Sequence, residues 1–111
     1  MGVFSLRIKV VLLFLAVLLA TALKAQEFRG RIQGTVVDSS GGVLVGANVT
    51  LINKDTGVSA NRKTNETGHF IFDLITPGTY SVTVEFTGFS KSVQDGIILQ
   101  QRGDVALTAK L

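Results

Sequence analysis

The chain is 111 residues long, carries a formal net charge of +3 and contains neither cysteine nor tryptophan. Arg7, Lys9 and Lys24 lie in the first 25 residues without any acidic residue, so the remainder holds eight basic and eight acidic residues. A neutral remainder gives no indication of nucleic-acid binding. Its length of about 86 residues allows one domain with a modest core and excludes a second domain.

Residues 1–25 have the three parts of an export signal. Basic Arg7 and Lys9 precede an apolar run over residues 10–23, and small residues lie around its end at Ala20, Thr21, Ala22 and Ala25. The run is about 21 Å long as a helix, against about 30 Å for a hydrocarbon core, so we expect a helical signal peptide and no membrane span after its removal. Cleavage after Ala25 is favoured over cleavage after Ala22, and an uncleaved anchor is the alternative.

Neither a cysteine for lipid attachment nor an Arg-Arg pair is present in the leader. The sequence therefore predicts export by the general secretory route, to the periplasm or to the periphery of the outer membrane. Residues 26–30 are interpreted as a short N-terminal arm, and residues 31–111 as the folded domain.

From residue 31 onward, apolar residues recur with a period of two, which is typical of half-buried strands. In residues 79–87 the inner face is predicted to carry Tyr80, Val82, Val84 and Phe86, and the outer face Ser81, Thr83, Glu85 and Thr87. The same alternation places apolar residues inward in four further segments: Ile32, Gly34 and Val36; Val49 and Leu51; Phe70, Phe72 and Leu74; Val105, Leu107, Ala109 and Leu111. Two shorter strands are expected at 89–93 and 97–99.

The connections between these strands contain the residues that turns require. Glycine follows Asp or Asn in segments 38–42, 53–57 and 65–68, and Pro77-Gly78 fits the centre of a type II turn with a positive φ at Gly78. Gly46 beside Ala47 is expected to let the chain cross the sandwich edge at close range. Seven or eight short strands without a helix favour an all-β sandwich of two packed sheets.

Short glycine-containing and aromatic fragments follow one another in a defined order: Gly34-x-Val36-x-Asp38, Gly42-x-x-x-Gly46-Ala47-x-Val49, Thr56-Gly57, Thr67-Gly68-x-Phe70-x-Phe72, Leu74-x-x-Pro77-Gly78-x-Tyr80 and Gly88-Phe89. Together they resemble the carboxypeptidase regulatory-like domain, a transthyretin-like Greek-key β-sandwich. The resemblance covers residues 31–111. It implies no catalytic residue, because the peptidase activity in the family's name belongs to a different domain.

In bacteria such domains commonly follow the signal peptide of TonB-dependent outer-membrane receptors, ahead of a plug and a barrel. The resemblance therefore implies an accessory domain, or a truncated N-terminal part, of such a receptor. The chain departs from that pattern by stopping at Leu111. Without a plug and a barrel it is not expected to transport anything itself.

Residues with catalytic or metal-binding chemistry are few and scattered. His69 is the single histidine, and we interpret it as a solvated side chain because no partner histidine or cysteine accompanies it. The carboxylates are spread one to a strand or turn, so a calcium site is disfavoured: Asp38, Asp55, Asp73, Glu85, Asp95 and Asp104. We expect no enzyme activity, no catalytic, cofactor-binding or metal residue, and no cofactor.

Two functions stay open at this point. The favoured one is a non-enzymatic interaction module that contacts a protein of the cell envelope through an edge strand or an end loop. The candidate edges are the two short segments 89–93 and 97–99. The second is an unbroken apolar run, Ile97, Ile98 and Leu99, and one of its faces is either covered by the arm around Phe28 or free for a partner. The alternative is a stand-alone domain with weak carbohydrate binding, in which Phe28 and Phe89 would stack on the sugar.

Overall fold

The computed structural model describes the backbone of residues 2–26 and 28–111 and the side chains of residues 5–20 and 28–111. Residue 27, within the predicted arm, and the side chains at both predicted cleavage sites lie outside the described residues. In chain order, the described residues form one helix and seven strands: α1 (Gly2–Gln26), β1 (Gly30–Val37), β2 (Asn48–Asn53), β3 (Ser59–Lys63), β4 (His69–Ile75), β5 (Gly78–Glu85), β6 (Ser92–Leu99) and β7 (Asp104–Lys110).

The described side chains of α1 are exposed to solvent. Within the described part of the chain, no helix combines the length and the hydropathy that crossing a membrane requires. The function of this segment as an export signal stays a prediction.

The seven strands form two sheets, as predicted for a β-sandwich. The three-stranded sheet has the order β4-β1-β7, and the four-stranded sheet has the order β3-β2-β5-β6. All neighbouring strands are antiparallel except β1 and β7, which run parallel. The parallel pair arises because the last strand returns beside the first, which places both ends of the domain in one sheet.

Alternate residues of both sheets fill the space between them, which confirms most of the predicted inner faces. Among the side chains that the structure describes, the buried core lies within the sandwich: Ile32, Val36, Leu44, Ala47, Val49, Leu51, Phe70, Phe72, Tyr80, Val82, Val84, Ile97, Leu99 and Ala109. The hydroxyl of buried Thr64 donates to the carbonyl of Leu44 (2.5 Å) and accepts from the N–H of Ala47 (2.9 Å). Since the sandwich contains its own satisfied core, residues 26–111 are expected to fold without α1.

Two of the predicted side-chain faces are wrong. Leu74 was expected in the core, but its side chain is 67% exposed and its φ is +53°. Between the pairs Gly30–Ile75 and Ile32–Phe72, two residues of β4 lie opposite one of β1, so a bulge turns Leu74 outward. Ser81 was expected to be solvated but is buried, because it is a small side chain that lies opposite Ile52 in the middle of the sheet.

Three predictions about local chain geometry are also corrected. Gly78 does not have a positive φ and instead begins β5. Gly46 has a φ of +78° and open space around the position of a Cβ, so it serves a turn rather than a close crossing. The end of the predicted segment 89–93 and the predicted segment 97–99 belong to one strand, β6 (Ser92–Leu99), and residues 89–91 lie in the preceding loop.

Close approach occurs instead at Gly34, in the middle of β1. A Cβ at this position would collide with the carbonyl oxygen of Leu107 and would lie 2.8 Å from Cζ of Phe70. The glycine therefore lets the Phe70 ring pack directly against the backbone of the central strand.

Candidate functional site

Strand β6 lies at one edge of the four-stranded sheet, which confirms the predicted edge position of residues 97–99. In the described part of the chain, its main-chain pairing is with β5 alone. An edge strand of this kind leaves a row of N–H and C=O groups open to pairing with another chain. Strand β6 is therefore the first candidate for a contact surface.

The side chains of β6 alternate between core and solvent. Ile97 and Leu99 are buried, whereas Ile98 is 68% exposed and Val93 is 57% exposed. Alternation thus accounts for the unbroken run at 97–99, since its central residue alone faces outward. The Phe28 carbonyl accepts a hydrogen bond from the N–H of Arg102 (2.9 Å), in the turn that follows β6, and the arm leaves the Ile98 side chain exposed.

A bulge divides β6 into two halves. Asp95 and Gly96 together lie opposite Ser81, and Gly96 has a φ of +66°. The Gly96 N–H donates to Asp95 (2.9 Å), and the ammonium group of Lys54 lies 3.2 Å from the same carboxylate. These two contacts, the Gly96 hydrogen bond first, hold the pKa of Asp95 below its usual value. The bulge explains why the sequence reads as two short strands.

The first half of β6 is also tied to the other sheet. The side-chain amide of Gln94 donates to the carbonyl of Thr108 in β7 (3.0 Å). This bond restricts access between the two edge strands near Gln94. The half that contains Ile98 is therefore the more accessible part of the edge.

A second surface lies where the β2–β3 turn, the β4–β5 turn and the residue before β1 meet. It is a concavity of about 440 Å³ with a largely apolar lining: Arg29, Leu51, Asn53, Thr56, Val58, Ser59, Ala60, Leu74, Ile75, Thr76 and Tyr80. Val58 and Leu74 both line this concavity, and each is 67% exposed, so the concavity presents apolar side chains to solvent. A positive φ costs a leucine about 1–2 kcal/mol relative to its ordinary backbone conformation.

The floor of this concavity is held by Tyr80, whose ring is buried. Its hydroxyl donates to the carbonyl of Thr76 (2.5 Å) and lies 3.4 Å from the side-chain amide of Asn53. Tyr80 is therefore a core ring, as predicted, and its hydroxyl has hydrogen-bond partners at a corner of the sandwich.

His69, the single histidine, lies in β4 and belongs to neither surface. Nε2 of His69 lies 3.1 Å from Oε1 of Gln33, whose amide nitrogen donates to Asp104 (2.8 Å). His69 is thus half-buried in a polar chain rather than freely solvated. Across the residues with described side chains, no three His, Asp or Glu residues come together in a way that could hold a metal.

Asp38 stabilises the turn that follows β1. One of its carboxylate oxygens accepts hydrogen bonds from the Ser40 hydroxyl (2.6 Å) and from the N–H groups of Ser40 and Gly42 (2.9 Å each). These bonds, the Ser40 hydroxyl first, hold the pKa of Asp38 below its usual value. The role of Asp38 in this structure is to order the turn.

The two phenylalanines suggested for sugar stacking do not come together. Phe89 is 40% exposed and packs at 5.8 Å from Phe86, in the loop before β6. Phe28 lies beside the turn that follows β6. Because the whole length of β6 separates the two rings, they cannot form one stacking platform.

A sequence profile of the carboxypeptidase regulatory-like domain matches residues 31–111. No curated protein is similar enough in sequence to count as a relative. Among solved structures, similar folds occur in a Bacteroides uniformis protein assigned provisionally to carbohydrate binding (TM-score 0.59, 18% identity, 74% of this chain and 40% of that one) and in the pilus adhesin of Streptococcus pneumoniae (0.57, 26%, 68% and 10%).

A third similar fold is the catechol 1,2 dioxygenase of Acinetobacter radioresistens (TM-score 0.59, 10% identity, 79% of this chain and 53% of that one). The chain thus spans about half or less of each of these three proteins. At 10% and 18% identity, the likenesses to the dioxygenase and to the Bacteroides protein establish the fold alone. The profile match covers most of the chain, and the chain therefore belongs to the carboxypeptidase regulatory-like domain family, whose members are non-catalytic β-sandwich domains.

Proposed function

We propose that the chain is an exported interaction module of the bacterial cell envelope, the accessory domain of a TonB-dependent outer-membrane receptor. The order of its parts supports this proposal, because a basic, apolar and small-residue leader is followed directly by the family domain. The domain acts by contact with a protein partner and performs no chemistry. Its partner is an extended protein segment that pairs with β6.

The observation that carries the proposal is the open half of β6 around Ile98. An added strand would extend the four-stranded sheet by hydrogen bonds to the unpaired main chain of β6. On the outer face, Ile98 and its cross-strand neighbour Thr79 would contact the alternate side chains of that strand. The Asp95–Gly96 bulge limits the pairing to a short segment, which sets its register.

Recovery of a partner from envelope extract tests this surface. The bait is the fragment 26–111, compared with Ile98→Lys and with Thr108→Lys, a matched change at an exposed position of β7, an edge strand of the three-stranded sheet. We expect Ile98→Lys to abolish recovery of a partner that both the parent fragment and Thr108→Lys retain. Equal recovery by all three baits would contradict the proposal.

Carbohydrate binding is the second candidate, and it rests on the fold shared with the Bacteroides uniformis protein. Titration calorimetry of the fragment with cellulose-, xylan- and mannan-derived oligosaccharides separates the two functions. Micromolar binding to an oligosaccharide, together with partner recovery that Ile98→Lys does not change, would favour the carbohydrate function.

The receptor part of the proposal has its own test. Reading the coding sequence beyond the codon for Leu111 shows whether a plug and a barrel follow in the same frame. We expect both to follow, in that frame or in an adjacent one interrupted by a stop. Unrelated sequence there would contradict the receptor assignment and leave the contact function intact.

A further inference from the structure

The concavity at the end of the sandwich has features that the contact at β6 does not explain. We call it the bulge cleft, and we define it by Arg29, Val58, Ser59, Leu74, Ile75 and Tyr80. It lies between the free edge of β3 and the bulge in β4. Strands β3 and β6 form the two opposite edges of the four-stranded sheet, so the cleft and the proposed contact at β6 lie at different edges.

Comparison of the bulges in β4 and β6 shows that the bulge geometry does not itself require a leucine at position 74. In β4 the N–H of Leu74 donates to Asp73, and in β6 the N–H of Gly96 donates to Asp95, each at 2.9 Å. Leu74 and Gly96, the second residue of each pair, have positive φ angles of +53° and +66°. Glycine satisfies this geometry without strain, whereas leucine does not. Because the Leu74 side chain is mostly exposed, packing in the core does not explain the leucine at this position either.

The adjacent edge of β3 offers main-chain groups for pairing. In an antiparallel pair of strands, the main-chain groups of successive residues point alternately toward the partner strand and away from it. Because the N–H of Thr64 donates to the carbonyl of Ala47, the main-chain groups of Ala60 point toward β2 and those of Ser59 point toward the open edge. Ser59 lies at the wall of the cleft. The outward N–H and C=O groups of Ser59 can therefore form hydrogen bonds with the main chain of another extended peptide.

Charge adds a third feature. Arg29 lines the cleft and is exposed. The ion pairs formed by described side chains use Arg31, Lys54 and Lys91 but not Arg29. Its guanidinium group is therefore available to a carboxylate on an incoming molecule.

We propose that the bulge cleft binds a short extended peptide in which an apolar side chain is followed by a carboxylate. The peptide backbone pairs with Ser59 at the edge of β3. The apolar side chain lies between Val58 and Leu74, above the Tyr80 ring, and the carboxylate meets Arg29. The strained leucine is thus a binding residue, and this site is independent of the contact at β6.

Chemical-shift perturbation in the ¹⁵N-labelled fragment 26–111 tests the proposal. The probe is a five-residue peptide of alternating threonine and leucine that is acetylated, amidated and ends in aspartate, and its control ends in asparagine. We expect saturable shifts confined to residues near 29, 58–61 and 74–76 at peptide concentrations up to about 1 mM. The asparagine peptide should bind about fivefold more weakly, and Arg29→Gln should remove that difference.

Two substitutions separate binding from folding. Leu74→Gly suits the positive φ, so the variant should fold, and it should bind the aspartate peptide at least about tenfold more weakly. Val58→Ser should weaken binding in the same direction. Ile98→Lys should leave peptide binding unchanged, which distinguishes this site from the proposed contact at β6.

Three results would overturn the proposal: no saturable shift up to the highest concentration, unchanged affinity in Leu74→Gly, or shifts centred on residues 92–99. Displacement of the peptide by a neutral oligosaccharide that produces the same shifts would also overturn it, in favour of a sugar site. An equal response to the aspartate and asparagine peptides would contradict the role of Arg29.

Discussion

Truncation of Phe72 to alanine should remove a large part of the stability of the sandwich. The ring is 1% exposed, meets the Phe70 ring at 6.0 Å in an edge-on arrangement, and has the guanidinium of Arg62 5.5 Å from its centroid. Such a truncation costs about 3–5 kcal/mol, whereas a domain of about 86 residues has a total stability of about 4–13 kcal/mol. At about 4–8 °C per kcal/mol, the expected fall in Tm is at least about 12 °C.

The assay is denaturant unfolding of the fragment 26–111, followed by circular dichroism. Phe89→Ala is the matched control, because Phe89 is the same residue type but is 40% exposed, and its loss should cost less than about 1.5 kcal/mol. Phe72→Leu keeps most of the volume and should cost less than the alanine change, so a measurable variant exists even if Phe72→Ala does not fold. Equal midpoints for Phe72→Ala and Phe89→Ala would refute the assignment of Phe72 to the core.

Three further predictions concern single positions. Gly34→Ala should lower the free energy of unfolding by more than about 2 kcal/mol in the same assay, because the new Cβ meets the backbone of Leu107, which cannot move aside; a neutral change would contradict that contact. NMR titration of Asp38 should give a pKa below the usual 3.8. Its hydrogen bonds therefore stabilise the fold above that pH and are lost as the pH falls through the lowered pKa, and a pKa at or above 3.8 would contradict them. Mass spectrometry of the exported protein should find an N-terminus at Gln26 or Leu23, whereas a membrane-embedded form that retains residues 1–24 would contradict signal cleavage.

The alternation of apolar residues was enough to predict the sandwich and most of its core. This pattern is informative because one face of a strand is buried and the other is wet, as in β4, where Phe70 and Phe72 are buried and Ile71 and Asp73 are exposed. Strand β3 could not be found in this way. Its sequence lacks an apolar alternation, and it forms because β2 supplies its main-chain partners.

The bulges were missed because they interrupt the period of two. Leu74 continues the pattern of Phe70 and Phe72, yet the extra residue in β4 reverses its direction. In β6, the Asp95–Gly96 pair is the one visible signal, since glycine inside a strand often marks a bulge. The bulge cleft depends on residues far apart in sequence, so sequence reasoning predicted contact through an edge strand or an end loop without locating this surface.

Glycine was recognised as important, but its role at each position was not. Gly34 is required by close packing and Gly46 by a positive φ, and the sequence around the two residues does not distinguish these reasons. The difference arises from the strands that pack on either side, which only the three-dimensional arrangement shows.

Site-specific photo-crosslinking in cells tests the central claim most directly, because it asks what touches β6 in the envelope. A photoreactive residue is placed at Ile98 and, as a control, at Thr108, two positions that are exposed in the isolated domain. We expect position 98 to crosslink to one extended peptide segment of an envelope protein, identified by mass spectrometry, and position 108 not to. Crosslinks that are absent from position 98, or equal at both positions, would contradict the role of β6 as the contact strand.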